Sequence, residues 1–366
     1  MLLSISSSEL ISEERTQRVS TPIPRRLERP VPAISWLRML VVVAATTLLL
    51  MVVWEAEMRH LGLRAGDLGD EYGYWAAERR KVDAGPRDSV VLIGDSRMLF
   101  DTDLGTWQRL TGGRPIQLGL MGANAQPMLH DLAADTHFAG LLVIGTAEFS
   151  YFGHQGRAAS VLRYIKNESP SQRSGTQLYK ELSRYFAFLD SNYTLFNLLE
   201  RPYMSVWKVG ESYDDRQSYL WEQITRDDYL REHAKAVWVK MFAGPVLTKG
   251  QIEQVVANTK PDVDRIRARG GEVVWIRPPS SGPLLDLERS RFPRQEVWDR
   301  LMRETASFGV HFEDYPAMQY PCADWSHLPK PSAIAFTDAY VRVLRDHVSW
   351  LQAHSASPQN PQQESQ

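Results

Sequence analysis

Two short stretches hold residue types that together can move an acyl group. In the first, Gly94-Asp95-Ser96-Arg97 closes an apolar run, SVVLI over 89–93. A serine there projects from the end of a strand, and Gly94 permits a tight turn. If a helix begins at once, the backbone N–H groups beyond Ser96 face any developing oxyanion. In the second, Asp324-Trp325-Ser326-His327 stands just ahead of a helical pattern over 332–352. A serine hydroxyl is a poor nucleophile until a base takes its proton. Histidine does this when a carboxylate fixes its tautomer and supports the imidazolium, and an Asp and a His three residues apart in one loop can meet. Each motif alone is weak, since both occur in ordinary turns. The pairing carries the information: a nucleophile after the first strand, an acid and a base before the last helix.

Other polar residues carry less. Glu148 sits at a strand end and suits either a substrate hydroxyl or, more commonly, a helix N-terminus. Arg277 opens RPPSSGP (277–283), a strand-end loop expected to line the cleft, where a guanidinium can bind an anionic group. His130, His137, His154, His233 and His311 are scattered without metal spacing, so neither a metal nor another cofactor is expected. Cys322, the only cysteine, reads as a small buried side chain and excludes a disulfide framework.

The elements that must position these residues alternate. SVVLIGDS (89–96), PIQLGL (115–120), GLLVIGT (140–146), GEVVWIRPP (271–279) and the weaker GVHFEDY (309–315) read as short strands. Helical patterns fall near 124–136, 251–269, 293–308 and 332–352. Alternation of this kind predicts an α/β fold, a parallel sheet with helices on both faces, with ligands beyond the C-terminal strand ends. Residues 149–240 interrupt it with aromatic-rich stretches. They read as a helical insertion that either packs its own core or caps the site with rings able to stack on sugars.

Ahead of this domain, MLVVVAATTLLLMVVW (39–54) carries no charge, and the apolar stretch reaches back to Ala33 broken only by Arg38. That length predicts a membrane-spanning signal anchor over 33–54, with Trp36 and Trp54 at the interfaces. No small-x-small cleavage site follows Trp54. Arg18, Arg25, Arg26, Arg29 and Arg38 precede or open the stretch and only Arg59 and Arg64 follow over 55–74, which keeps the N-terminus in the cytoplasm and exports the rest. The expected organisation is a disordered cytoplasmic tail (1–32), the anchor (33–54), a juxtamembrane linker or helix (55–85), the α/β domain (86–352) and a disordered tail (353–366). With 42 Lys+Arg against 44 Asp+Glu, nothing asks for nucleic acid.

On these residues the chain resembles the SGNH (GDSL-like) hydrolase superfamily. IGDSR (93–97) matches its first block and DWSHL (324–328) its last, and LGLMGAN (118–124) looks like its glycine block. The resemblance implies a flavodoxin-like three-layer sandwich with Ser96 as nucleophile, His327 as base and Asp324 as acid. It also implies oxyanion N–H groups from Ser96 and from Gly122, or alternatively Gly119. One block departs: where the family has Gly-x-Asn-Asp, this chain reads Gly145-Thr146-Ala147-Glu148. Alanine cannot donate, and one such donor is worth roughly 2.7–4 kcal/mol of transition-state stabilisation. Asn124, Arg97 and Arg277 are the candidate substitutes, with Asn124 expected above Ser96.

GDSR, the missing Asn and the anchor look most like membrane-anchored SGNH-like proteins of surface-polysaccharide O-acylation, periplasmic in a Gram-negative cell. The implied substrate is an acylated glycan or envelope polymer, and the implied partner a membrane-bound O-acyltransferase. Two readings stay open: an esterase or O-acetyltransferase, and a weakly active or inactive glycan-binding or assembly partner. Hydrolysis and transfer share every residue up to the second step.

Overall fold

The computed structural model describes residues 35–135, 137–153, 156–194, 199, 208–242 and 246–355. The tail expected over 1–32 and most of that over 353–366 lie outside them. The described chain divides into two compact units at Val52 and Val53. The first contains most of α1 (Trp36–His60), a helix long and apolar enough to cross a membrane, with none of its most apolar stretch buried.

In the second unit α2 (Tyr72–Ala84) leads into β1 (Val90–Ile93), followed by α3 (Ser96–Phe100), α4 (Leu104–Thr111), β2 (Ile116–Gln117), α5 (Gln126–Ala134) and β3 (Leu141–Gly145). The insertion then supplies α6 (Glu148–Tyr151), α7 (Ala158–Asn167), α8 (Pro170–Ser183), the strands β4 (Gly210–Ser212) and β5 (Ser218–Leu220), α9 (Glu222–Arg226) and α10 (Asp228–Phe242). The alternation resumes with α11 (Lys249–Ala268), β6 (Glu272–Arg277), α12 (Gly282–Arg291), α13 (Trp298–Thr305) and β7 (Phe308–His311). It closes with α14 (Lys330–His347) and α15 (Ser349–Ser355), so helix continues into the first residues of the expected C-terminal tail.

The five-stranded sheet is parallel throughout, in the order β2-β1-β3-β6-β7. Strands buried on both faces need continuous apolar runs, which VVLI, LLVIG and VVWI provide. Alternate residues serve opposite faces. Val91, Ile93, Leu142, Ile144, Val273 and Trp275 pack with α2, α5, α11 and α13. Val90, Leu92, Leu141, Val143, Val274, Ile276 and Val310 pack with α4 and α14. Those two cores make the three layers.

Register decides what the sheet presents. Ile93 lies beside Ile144, Gly145 beside Ile276, and Arg277 beside His311. Gly94, Thr146 and Arg277 therefore leave the sheet at neighbouring points. The chain moves from β1 outward to β2 and then back across to β3, and such a reversal opens a crevice at the C-terminal strand ends.

The insertion is mostly helical, as its aromatic spacing predicts, but includes an antiparallel hairpin, β4 with β5. A third core joins Tyr193, Leu220, Trp221 and Ile224 to Met58 and Leu63, with Trp54 half-buried against it. The RPPSSGP loop is shorter than expected, because α12 starts at Gly282.

Candidate active site

Ser96 is built by a turn that only glycine makes easily. Gly94 has φ +157°, and a Cβ there would stand 2.6 Å from Met98 Cβ and 2.7 Å from the Gly145 carbonyl oxygen. Asp95 then caps α3, its carboxylate accepting the Arg97 N–H at 2.9 Å. As the first residue of α3, Ser96 has a backbone N–H with no intrahelical acceptor.

The Asp324–His327 loop is wound on its own carboxylate. Asp324 Oδ1 accepts the N–H groups of Ser326 (3.0 Å) and His327 (2.7 Å), and the Ala323 N–H donates to the His327 carbonyl at 3.0 Å. Trp325, between them, sits in the left-handed region at φ +75°. A non-glycine residue held there costs about 1–3 kcal/mol and persists only where its surroundings insist. The loop is tied down at Leu328, whose N–H donates to the buried Asp101 carboxylate at 2.9 Å.

These two pieces bring the three residues singled out in the sequence into one chain of hydrogen bonds. His327 Nε2 lies 2.8 Å from Ser96 Oγ, and His327 Nδ1 lies 2.7 Å from Asp324 Oδ2. Burial alone would lower the His327 pKa. The Asp324 charge and hydrogen bond outweigh it, with Asp101 adding to them, and hold the imidazole above the ordinary histidine value. Burial likewise works to raise Asp324, but the His327 charge and the N–H bonds keep it below the usual carboxylate range. Asp101 has less help, and burial pushes its carboxyl up to about 7.

The other predicted residues fall differently. Gly122 has φ +67°, is exposed, and its N–H meets no acceptor among the described residues. Gly119, the alternative, has its N–H committed to the Gln117 side chain at 2.8 Å. Asn124 corrects the expectation that it stands above Ser96. Its amide nitrogen donates to the carbonyls of Tyr151 (2.9 Å) and Gly153 (3.3 Å), and its oxygen accepts the Gln126 N–H at 2.8 Å. An Asx turn at the start of α5 uses the whole side chain.

Arg97 and Arg277 are also not open to substrate. Both are buried, in one network beneath the site. Arg97 Nε donates to Ser326 Oγ at 3.0 Å and Nη2 to Glu288 at 2.5 Å. Arg277 Nη2 reaches Glu288 at 2.6 Å, while its Nε holds Glu148 at 2.8 and 2.9 Å. Two arginines thus meet two carboxylates, which suits positioning rather than anion capture. Against burial, the two arginine charges hold the Glu288 pKa well down. Glu148 opens α6 and is paired with Arg277. Cys322 is buried, and burial pushes its thiol up. Among the described residues, no group of three or more His, Cys, Asp or Glu side chains could hold a metal ion.

Other contributors are not singled out in the sequence. Ser326 is hidden inside the motif as a hydrogen-bond acceptor for Arg97. Glu288 lies on α12, outside every helical pattern read from the sequence. Trp238, on α10, brings its ring to 5.8 Å from the His327 ring and 5.9 Å from Phe149, while Phe100 comes within 5.1 Å of His327. The aromatic spacing of 227–242 could have flagged Trp238 but not its destination. With this ring beside the imidazole, Ser96 is only 8% exposed. No protein-family model matches the chain, and no match to a curated protein was found.

Proposed function

We propose that this chain is a membrane-anchored serine acyl-transfer enzyme of the SGNH type, acting outside the cytoplasm on O-acylated glycan. The observation that carries the proposal is His327 set between Ser96 Oγ (2.8 Å) and Asp324 (2.7 Å). In the first step Ser96 Oγ attacks the acyl carbonyl carbon as its proton passes to His327 Nε2. Asp324 stabilises the imidazolium through Nδ1. The negative charge on the former carbonyl oxygen is met by the N–H groups of Ser96 and Gly122. Collapse breaks the bond to the sugar oxygen, which takes the proton from His327 and leaves. Water or a second sugar hydroxyl then attacks the acyl-enzyme with His327 again as base, giving hydrolysis or transfer.

The anchor reading adds the substrate class. α1 is apolar over a membrane's width, and arginines crowd its N-terminal side, so the domain beyond Val53 meets exported polymers. The flavodoxin-like SGNH sandwich fits the strand order β2-β1-β3-β6-β7, with Ser96 directly after β1. A membrane-bound O-acyltransferase remains the partner this reading implies.

A second reading has its own support. Ala147 offers no side-chain donor where the family has Asn, and Ser96 is buried beside Trp238. A glycan-binding or assembly protein that keeps the fold would tolerate both. Turnover of an activated acetyl ester by the full chain in detergent separates the two: the enzyme reading expects turnover that Ser96→Ala abolishes. Turnover absent, or unchanged in Ser96→Ala, hands the lead to the binding reading.

A further inference from the structure

One helix of the insertion has a face that is exposed among the described residues. α8 turns Tyr179, Lys180 and Ser183 inward: Tyr179 donates to the Leu189 carbonyl, Lys180 donates to the Asp214 carbonyl at 3.0 Å, and Ser183 is buried. The opposite side carries Leu178 and Leu182, four residues apart on one face, and Tyr185 follows two residues past the helix end; they are 61%, 42% and 70% exposed. Scattered exposed leucines need no explanation, whereas a stripe at helical spacing points to a covering surface.

What covers it follows from where the stripe is pinned. The N–H groups of Ala187 and Phe188 both donate to the Glu55 carboxylate at 3.0 Å, and Arg59 donates to the Tyr185 carbonyl at 3.3 Å. Glu55 and Arg59 follow directly on the uncharged run that ends at Trp54. At 1.5 Å per residue, Arg59 stands within about 8 Å of that end along the helix. The headgroup layer on each side of a bilayer is itself roughly 5–8 Å deep. If α1 spans the bilayer with its apolar run ending at Trp54, the Leu182–Phe188 corner falls at headgroup depth. Arg59 and Arg184 also lie here, with side chains 53% and 46% exposed, each paired with a carboxylate, Glu55 and Asp214.

We infer that the outer stripe of α8, with Tyr185, rests on the lipid surface from which the chain emerges, so that the domain is docked on the bilayer instead of swinging on a tether. This rests on the reading of α1 as a membrane span. Cys322 is the only cysteine and is buried, so a cysteine introduced at an exposed position takes a label selectively. Leu178→Cys and Leu182→Cys, in the full chain, would each carry an environment-sensitive fluorophore in phosphatidylcholine–phosphatidylglycerol vesicles holding headgroup-level nitroxide lipid. Asp286→Cys, at a side chain 79% exposed on α12, is the reference. The expected result is quenching at 178 and 182 at least roughly three-fold stronger than at 286, as for a helix lying in the interface. Equal quenching at all three positions in a chain that resists alkaline extraction would overturn the docking and leave the anchor standing. A chain extracted by alkali would overturn both.

Discussion

His327 is held from two sides by carboxylates that do different work. Asp324 bonds it directly, whereas Asp101 acts through the Leu328 N–H and through its charge. On the acyl-transfer reading, Asp324→Asn keeps an oxygen for the loop N–H groups but favours the wrong imidazole tautomer. Turnover of an activated ester should then fall on the order of 10⁴-fold, with a near-native thermal midpoint. The base must be neutral, so turnover should decline as pH falls through a His327 pKa above the ordinary 6.5, and kcat/KM against pH locates that limb. Asp101 predicts a stability effect. Its folded pKa of about 7 lies above its unfolded value, so its contribution is full below the unfolded pKa and is lost as pH rises towards 7. Asp101→Asn should gain on the wild type by up to about 1.4 kcal/mol per pH unit between roughly pH 4 and 7, read from unfolding midpoints in detergent. Ser96, Asp324 and His327 are legible in the sequence because each motif carries its own local geometry, a glycine turn in one and an i, i+3 loop in the other. Asn124 and Arg97 mislead for the same reason that makes them attractive: a polar side chain near the site is as readily used by an Asx turn or a buried ion pair as by a ligand.

Two elements supply the surroundings of the triad. α12 delivers Glu288 to both arginines, and nothing local in the sequence says that Arg97 and Arg277 wait beneath it. Removing this carboxylate leaves buried charge uncompensated. Glu288→Ala should cost about 3–5 kcal/mol of stability, seen as a lowered thermal midpoint. α10 sets Trp238 beside His327, and it belongs to the stretch whose aromatics read first as a secondary core and second as a cap. The structure divides them, with Tyr193 and Trp221 in the insertion's core and Trp238 at the site. If this ring limits access to Ser96, Trp238→Ala should speed inactivation by a bulky phosphonate on the order of ten-fold, or about 1.4 kcal/mol. An unchanged rate would mean that substrate enters from another side. The β4–β5 hairpin escapes a sequence reading altogether, since GES and SYL are too short and too mixed to show a period.

At the scale of the molecule, the parallel sheet is the most legible feature, because strands covered on both faces need apolar runs, and β1, β3 and the 273–276 centre of β6 have them. Strand order is less so: the sequence shows alternation, while the reversal at β1 emerges only from pairing. Topology makes a separate prediction. On the anchor reading, a reporter fused after Gln366 should be active only outside the cytoplasm, as the positive-inside rule expects from the arginines ahead of residue 39, and activity inside would remove the envelope substrate from the account. The central claim, that Ser96 is a nucleophile activated by His327, is tested most directly by treating the full chain with a fluorophosphonate and mapping the modified peptide. The account predicts a single adduct on Ser96 that is lost in His327→Ala. No adduct on Ser96, or one formed equally well without His327, would contradict it.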